Sequence, residues 1–324
     1  MATNVLIKEL KRINPDLINI HNIHGYYVNY KMLFNYLATT NIKIIWTLHD
    51  CWAFTGHCSH FEYEKCDKWK TGCRLCRFKK EYPKSILLSA SYNNYLTKKE
   101  SFLSIKPSNM LLVCPSKWLK EYVDQSFLNK YHSLVINNGI NTDIFKFTNS
   151  NLREKYSLKD KIIVLGVASV WSSKKGFFDF IDLANRLDDR FYIVMIGVTG
   201  KQIDLLPSNV IGIARTENQQ QLAEWYSTAD VLYNPTYEDN YPTVLLEAVA
   251  CQLGILTSDV GGCKEIVRHT SNYDFIDKNN VIEQIISIYK KGRNNIVDNF
   301  DVSETKSIDK YHTIIVEYLK EASK

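Results

Sequence analysis

The side chains with most chemistry to offer lie in one stretch, residues 229–267, ADVLYNPTYEDNYPTVLLEAVACQLGILTSDVGGCKEIV. Its pattern reads as strand, acidic loop, helix, strand and glycine turn. Pro242 suits the first turn of a helix, where its missing amide costs nothing, and the apolar run beyond it predicts a buried helix. The amides of Thr243, Val244 and Leu245 then point out of the helix start. That end carries the positive pole of the helix dipole and suits the diphosphate of a nucleotide. Glu247, one turn past Thr243, interrupts the apolar face, and a buried charge needs a partner. A ribose provides one through two adjacent hydroxyls, and so does an ion pair with a lysine or arginine elsewhere. Glu238 and Asp239 precede the helix and are expected to reach the sugar hydroxyls of the same ligand.

Such a loop needs a scaffold, and the rest of the chain supplies its pattern. Short β-branched runs alternate with amphipathic helices, as in a parallel sheet covered on both faces. Strands read at 17–21, 42–48, 110–114 and 133–137, then at 161–169, 191–197, 210–214, 231–234 and 255–259. The fold class is α/β, with two Rossmann-like doubly wound domains. The 324 residues exceed what one hydrophobic core usually serves. The polar segment FKFTNSNLREKYSLKDK puts the boundary near residue 148, giving domains 1–148 and 149–302. A last amphipathic helix, within 303–324, carries Ile308, Tyr311, Ile314, Ile315 and Tyr318 at helical spacing and is expected to pack back on the first domain.

Composition narrows the function. Hydrophobic content of 45% and charged content of 23% exclude a disordered or fibrous chain. No run approaches the ~20 apolar residues of a membrane span, and no secretory signal is visible, so a cytoplasmic location is expected. A net charge of +5 favours anionic partners such as nucleotide sugars or an acidic membrane face, with peripheral contact to the inner face as the expectation. No basic cluster or RNA-binding signature points to nucleic acid. Neither GxGxxG nor GxxxxGK[ST] occurs, which argues against dehydrogenases and P-loop enzymes.

The first half carries its own candidates. HNIHG (21–25) and TLHDCW (47–52) each follow a strand, and ligands of doubly wound sheets collect at the carboxyl ends of strands. His24 and His49 are therefore cleft candidates, although single histidines there are often only structural. Five cysteines fall between 51 and 76, and Cys58, Cys66, Cys73 and Cys76 have the spacing C-x7-C-x6-C-x2-C. Four thiolates ending in CxxC can hold a structural zinc tetrahedrally, with His57 and His60 as alternative ligands. Reduced buried thiols or a redox pair are the competing readings. Cys114, Cys251 and Cys263 read as core residues.

The 229–267 segment resembles the donor-site signature of the large retaining GT-B glycosyltransferase family that includes sucrose, mannosyl and bacterial capsule transferases. The family has two glutamates bracketing the helix start with seven residues between them, the first at the donor sugar and the second at the ribose. Here Asp239 and Glu247 match, while Glu238 leaves eight residues between, so the first role stays open between Glu238 and Asp239. The resemblance also implies an Arg and a Lys-Gly pair on the donor diphosphate. GVASVWSSKKGFFDF supplies Lys175 and Gly176, Val170 stands where the Arg is usual, and Lys174 is the candidate substitute, without a bidentate fork. An exposed lysine pair in a turn is the bland alternative.

Weaker matches are NNGINTDIF (137–145), with Asn141 where the family has Asp, and Arg215 with Thr216, where the nucleotide base is contacted. The resemblance implies that His49, with Asp50, approaches the donor sugar or acceptor, with His24 and Asp50 on the acceptor side. Cysteine-bearing loops after the HD segment also occur in its bacterial polysaccharide transferases.

The implied reaction is metal-independent hexosyl transfer, with retention, from a UDP- or GDP-linked sugar to a glycan or lipid-linked acceptor; no Asp-x-Asp pair is present to bridge a metal. No cofactor is expected for catalysis. No glycine precedes Gly25, so the glycine-rich opening of the family's first domain is missing and that domain is expected to be incomplete. The alternative function is an inactive or truncated sugar-nucleotide-binding partner of another transferase.

Overall fold

The computed structural model describes residues 2–76 and 90–322. The chain divides into two compact units, Met1–Asn137 with Asp309–Lys324, and Asn138–Ile308.

The first unit is built on a four-stranded parallel sheet in the order β1-β2-β3-β4, formed by Leu17–Ile20, Lys43–Thr47, Met110–Cys114 and His132–Val135. β3 reads MLLVC and is buried at all five positions. That continuous apolar run is what a strand covered on both faces requires. One face packs Ile44, Trp46 and Leu112 against Phe34 and Phe102. On the other face Ile45, Leu111, Val113 and Ile136 meet Tyr311, Ile314, Ile315 and Tyr318 of the helix Glu304–Ala322. The Tyr311 hydroxyl lies 2.8 Å from Thr47 Oγ1. Ile308, expected in the same stripe, is 60% exposed, because the stripe that meets the sheet begins at Tyr311.

The second unit holds a six-stranded parallel sheet in the order β10-β9-β8-β5-β6-β7. These strands are Ile162–Val167 (β5), Phe191–Ile196 (β6), Val210–Ile213 (β7), Val231–Asn234 (β8), Gly254–Thr257 (β9) and Tyr273–Phe275 (β10). β5 pairs with β6 on one side and with β8 on the other. The chain thus winds outward from β5 in one direction and restarts beside it in the other. At that reversal the connections leaving β5 and β8 diverge to opposite faces, which opens a crevice at the carboxyl ends of the strands.

β10 has no counterpart among the strands read from sequence. At three residues, YDF, with partial exposure, it carries too little pattern to separate from a loop. The seam at Asn137/Asn138 lies ahead of residue 148. The polar stretch belongs to the second unit because Thr148 N donates to Ser227 Oγ (3.0 Å) and Ser150 Oγ lies 2.6 Å from Thr228 Oγ1.

Candidate donor site at the sheet reversal

The loop after β5 is shaped by three contacts. Trp171 Nε1 donates to the Ile196 carbonyl across 2.9 Å. Ser172 Oγ accepts from the Lys175 amide at 3.3 Å and caps a short turn, Ser173–Lys175. Gly176 then starts the helix Phe177–Arg186 from φ +78°, and a Cβ on it would lie 2.5 Å from Pro235 Cγ. Only glycine tolerates both demands, so the Lys-Gly step follows from how closely the two loops approach. The main chain ties them as well, since the Tyr237 amide donates to the Lys174 carbonyl at 2.8 Å.

This approach brings two lysines onto two acids. Lys174 Nζ donates to Glu238 Oε2 at 2.8 Å, and Lys175 Nζ donates to Asp239 Oδ2 at 2.5 Å. Glu238 is only 6% exposed and Thr236 Oγ1 donates to its carbonyl at 3.0 Å. Both lysines lie in the turn Ser173–Lys175 with side chains 27% and 39% exposed, and each is paired with an acid. Lys174 is engaged in holding Glu238, while Val170, at the position of the usual arginine, is 71% exposed. Behind Asp239, Gly261 (φ +52°) leaves no room for a side chain, because its Cβ would stand 1.7 Å from the Asp239 carbonyl oxygen.

The helix Thr243–Ala250 follows directly. Pro242 is its cap residue, at φ −70° and ψ 122°, rather than part of the first turn. No side chain caps the helix; the Leu245 amide, expected to be free, donates to the Pro242 carbonyl at 3.2 Å, which leaves the Thr243 and Val244 amides to another acceptor. Four residues in, Glu247 accepts from the Tyr226 hydroxyl at 2.7 Å and from the Thr243 hydroxyl. Burial raises its carboxyl above the ordinary range, against the pull of these two donors. Its partners are hydroxyls, where an ion pair with lysine or arginine was the alternative. Arg215 and Thr216 lie in the loop after β7, Arg215 exposed and Thr216 partly buried.

In the first unit, His49 and Asp50 follow β2 and His21 and His24 follow β1. His24 Nε2 lies 3.0 Å from Asp50 Oδ2, and Asp50 Oδ1 accepts the Trp52 amide at 2.8 Å. His21 Nδ1 lies 2.8 Å from His49 Nε2, with the rings stacked at 5.1 Å. Burial, then the neighbouring His21, holds His49 below the usual histidine value. His21 escaped sequence reasoning, although it sits at a strand end like His49.

Lys98 escaped it too. It is 2% exposed, donates to the carbonyls of Trp52 (2.7 Å) and Thr55 (3.0 Å), and stands 3.5 Å from the centre of the Trp52 ring. Nothing in a helix reading YNNYLTKKESFL marks one lysine as interior.

None of the eight cysteines, all among the described residues, is joined in a disulfide. Cys58, Cys66, Cys73 and Cys76 line one cavity of about 350 Å³ together with His57. Burial pushes the Cys58 thiol up to about 12, with Cys76, Cys73 and Cys66 adding to the shift, and Cys73 up to about 11. Cys114, Cys251 and Cys263 are buried in the cores, as expected. As placed, no three His, Cys, Asp or Glu side chains among the described residues form a group able to hold a metal ion. Among the same residues no helix is long and apolar enough to cross a membrane.

The chain is similar in sequence and fold to known glycosyltransferases. The chain is 23% identical over 276 residues to the putative colanic acid biosynthesis glycosyl transferase WcaC of Escherichia coli, covering 82% of this chain and 65% of that protein. It is 22% identical over 231 residues to the processive diacylglycerol alpha-glucosyltransferase of Acholeplasma laidlawii, covering 65% and 66%. The chain thus spans about two thirds of the length of these relatives. Its fold is that of GT-B glycosyltransferases. Sucrose-phosphate synthase from Thermosynechococcus elongatus superposes with a TM-score of 0.63 at 15% identity, over 99% of this chain and 76% of that one. HepE of Anabaena, solved with UDP-glucose, gives 0.58 at 13%, over 99% and 81%. Residues 160–291 match the sequence profile described as Glycosyl transferases group 1. These residues are the body of the second unit.

Proposed function

We propose that this chain is a retaining glycosyltransferase that moves a hexose from a UDP- or GDP-linked sugar to a hydroxyl of a polysaccharide or lipid-linked oligosaccharide, without a catalytic metal. One observation carries the reading: the loops leaving β5 and β8 meet at the sheet reversal, placing Lys174, Lys175, Glu238 and Asp239 beside an uncapped helix start. Retained configuration has the bond from the anomeric carbon to the diphosphate break as the bond to the acceptor oxygen forms on the same face, with the acceptor hydroxyl's proton passing to the departing diphosphate oxygen. Charge then develops on the departing diphosphate. Lys174, Lys175 and the first amides of the helix after Pro242, at Thr243 and Val244, are assigned to that charge, where fixed donors lower the barrier most.

Glu238 and Asp239 orient the transferred sugar, and Gly176 lets the diphosphate approach the backbone. Glu247 binds the ribose, while Arg215 and Thr216 contact the base. In the first unit, His49 is assigned to the reacting sugar, and His24 and Asp50 to the acceptor. A relative named for colanic acid biosynthesis supports a polysaccharide acceptor, and a structural neighbour solved with UDP-glucose supports a UDP-linked donor. The net charge of +5 suits work in the cytoplasm against an anionic membrane face.

A thermal-shift screen of UDP-, GDP- and ADP-sugars tests the reading. A ligand that binds the folded chain raises its melting temperature with occupancy. At least one should do so and Glu247→Ala should abolish the rise; no shift with any of them would sink the donor site.

A further inference from the structure

We propose that Cys58, Cys66, Cys73 and Cys76 bind one zinc ion as thiolates, and that this ion fixes the segment 51–76 behind β2. The proposal is independent of the sugar-transfer reading. It begins from the segment itself. Residues 51–76 contain only two three-residue turns of helix, Trp52–Phe54 and Lys68–Lys70. Yet they bury Cys51, Trp52, Phe54, Phe61 and Trp69 in the core of the first unit. A stretch that long without regular structure is uncommon in a compact domain unless something else orders it.

The cysteines lie where such a constraint would act. Cys58 comes from one loop, Cys66 from the next turn, and Cys73 and Cys76 from a third, yet all four face the same cavity. The backbone there is unusual. Gly72, Cys73 and Leu75 have φ of +124°, +53° and +52°, and a non-glycine residue in that region persists only where its surroundings impose it. The Gly56 amide donates to Cys73 Sγ at 3.1 Å, and donation of this kind favours the anionic sulfur. Gly56 must be glycine for this, since a Cβ would stand 2.1 Å from the Ser91 carbonyl oxygen and 2.7 Å from Cys73 Cβ.

The second, independent observation is Lys98. This buried lysine has as hydrogen-bond partners two carbonyls of the same segment, those of Trp52 and Thr55, with Asp50 as the opposing charge of largest effect and Cys73 and Cys58 after it. A buried charge needs a countercharge. Four thiolates on one zinc carry a net charge of −2, next to a lysine that would offset half of it. Four neutral thiols add nothing to the influence of Asp50, the carboxylate that already acts on Lys98.

As they stand, the sulfurs line the cavity wall and do not converge on one point. Coordination at about 2.3 Å requires them to close to about 3.8 Å from one another. Rotation about χ1 together with tightening of the loop supplies that movement, since cysteine rotamers are separated by low barriers.

The test is elemental analysis of the full chain purified without chelator, with X-ray absorption at the zinc edge. One zinc per chain with four sulfur neighbours is expected. Cys73→Ser/Cys76→Ser should lose the zinc, whereas Cys114→Ser, in the core outside the cavity, should keep it. If the double variant fails to fold, the unmodified chain still decides. Absence of zinc that stoichiometric addition does not restore would overturn the proposal. So would a shell containing nitrogen, iron with inorganic sulfide in its place, a Cys73–Cys76 disulfide, or zinc retained in the double variant.

Discussion

Lys174 Nζ and Glu238 Oε2 stand 2.8 Å apart although 63 residues separate them in the chain, and the acid is almost wholly enclosed. A buried carboxylate that loses its cation retains the cost of desolvation. Lys174→Met should therefore destabilise the second unit by about 1–3 kcal/mol, measured by urea unfolding. Lys175 and Asp239 are more exposed, so Lys175→Met should cost less than about 1 kcal/mol. The combination Lys174→Met/Glu238→Leu should recover most of the loss. A larger effect at Lys175 than at Lys174 would show that Lys174 does not support Glu238.

Glu247 sets stability against binding. Its folded-state carboxyl is raised by burial, so its contribution to stability is present below the unfolded value of 4.5 and is lost as pH rises through the folded one. Glu247→Gln keeps an acceptor for Tyr226 and removes the buried charge. At pH 7 it should be more stable by about 1 kcal/mol, with a flatter stability profile between pH 4 and 7. Donor affinity should fall tenfold or more, the loss of about 1.5–3 kcal/mol expected for a hydrogen bond to a charged group. A variant less stable than the original at pH 7 would contradict this assignment of strain.

The His21–His49 pair predicts a pH dependence of opposite sign. Burial lowers both imidazoles below 6.5. The folded state then binds fewer protons than the unfolded one, so the stability they contribute is complete above about pH 6.5 and falls on acidification through their folded values. Resolved by NMR, both rings should titrate below 6.5. His21→Asn removes a like charge from beside His49 and should move its titration upward. An unchanged or lower value would mean that the pair is not electrostatically coupled.

Much of the fold was legible because buried parallel strands carry their signal in a few consecutive residues. MLLVC and VLYN are strands over the residues that the pattern marked. The helix after Pro242 was legible for a similar reason, since proline, an apolar run and one interrupting acid lie within six residues. What escaped depends on approach between distant segments. Nothing local to SSKKG says that Lys174 will meet Glu238, nor that Tyr226 will supply the hydroxyl at Glu247. Lys98 looks like its neighbour Lys99 until the 51–55 carbonyls are folded over it. The early boundary was hidden because residues 146–150, polar like a linker, spend that polarity on Ser227 and Thr228.

The helix Glu304–Ala322 has a further consequence for biosynthesis. The first unit is discontinuous, with 171 residues of the second unit, Asn138–Ile308, inserted before its last helix is made. While the ribosome translates that insert, the sheet face of Ile45, Leu111, Val113 and Ile136 has no helix to cover it. Domain-by-domain maturation in order of synthesis is therefore closed to this chain. Its first unit waits, sticky on one side, for Tyr311 to Tyr318 to emerge, and a chaperone that binds apolar surface has that interval in which to act.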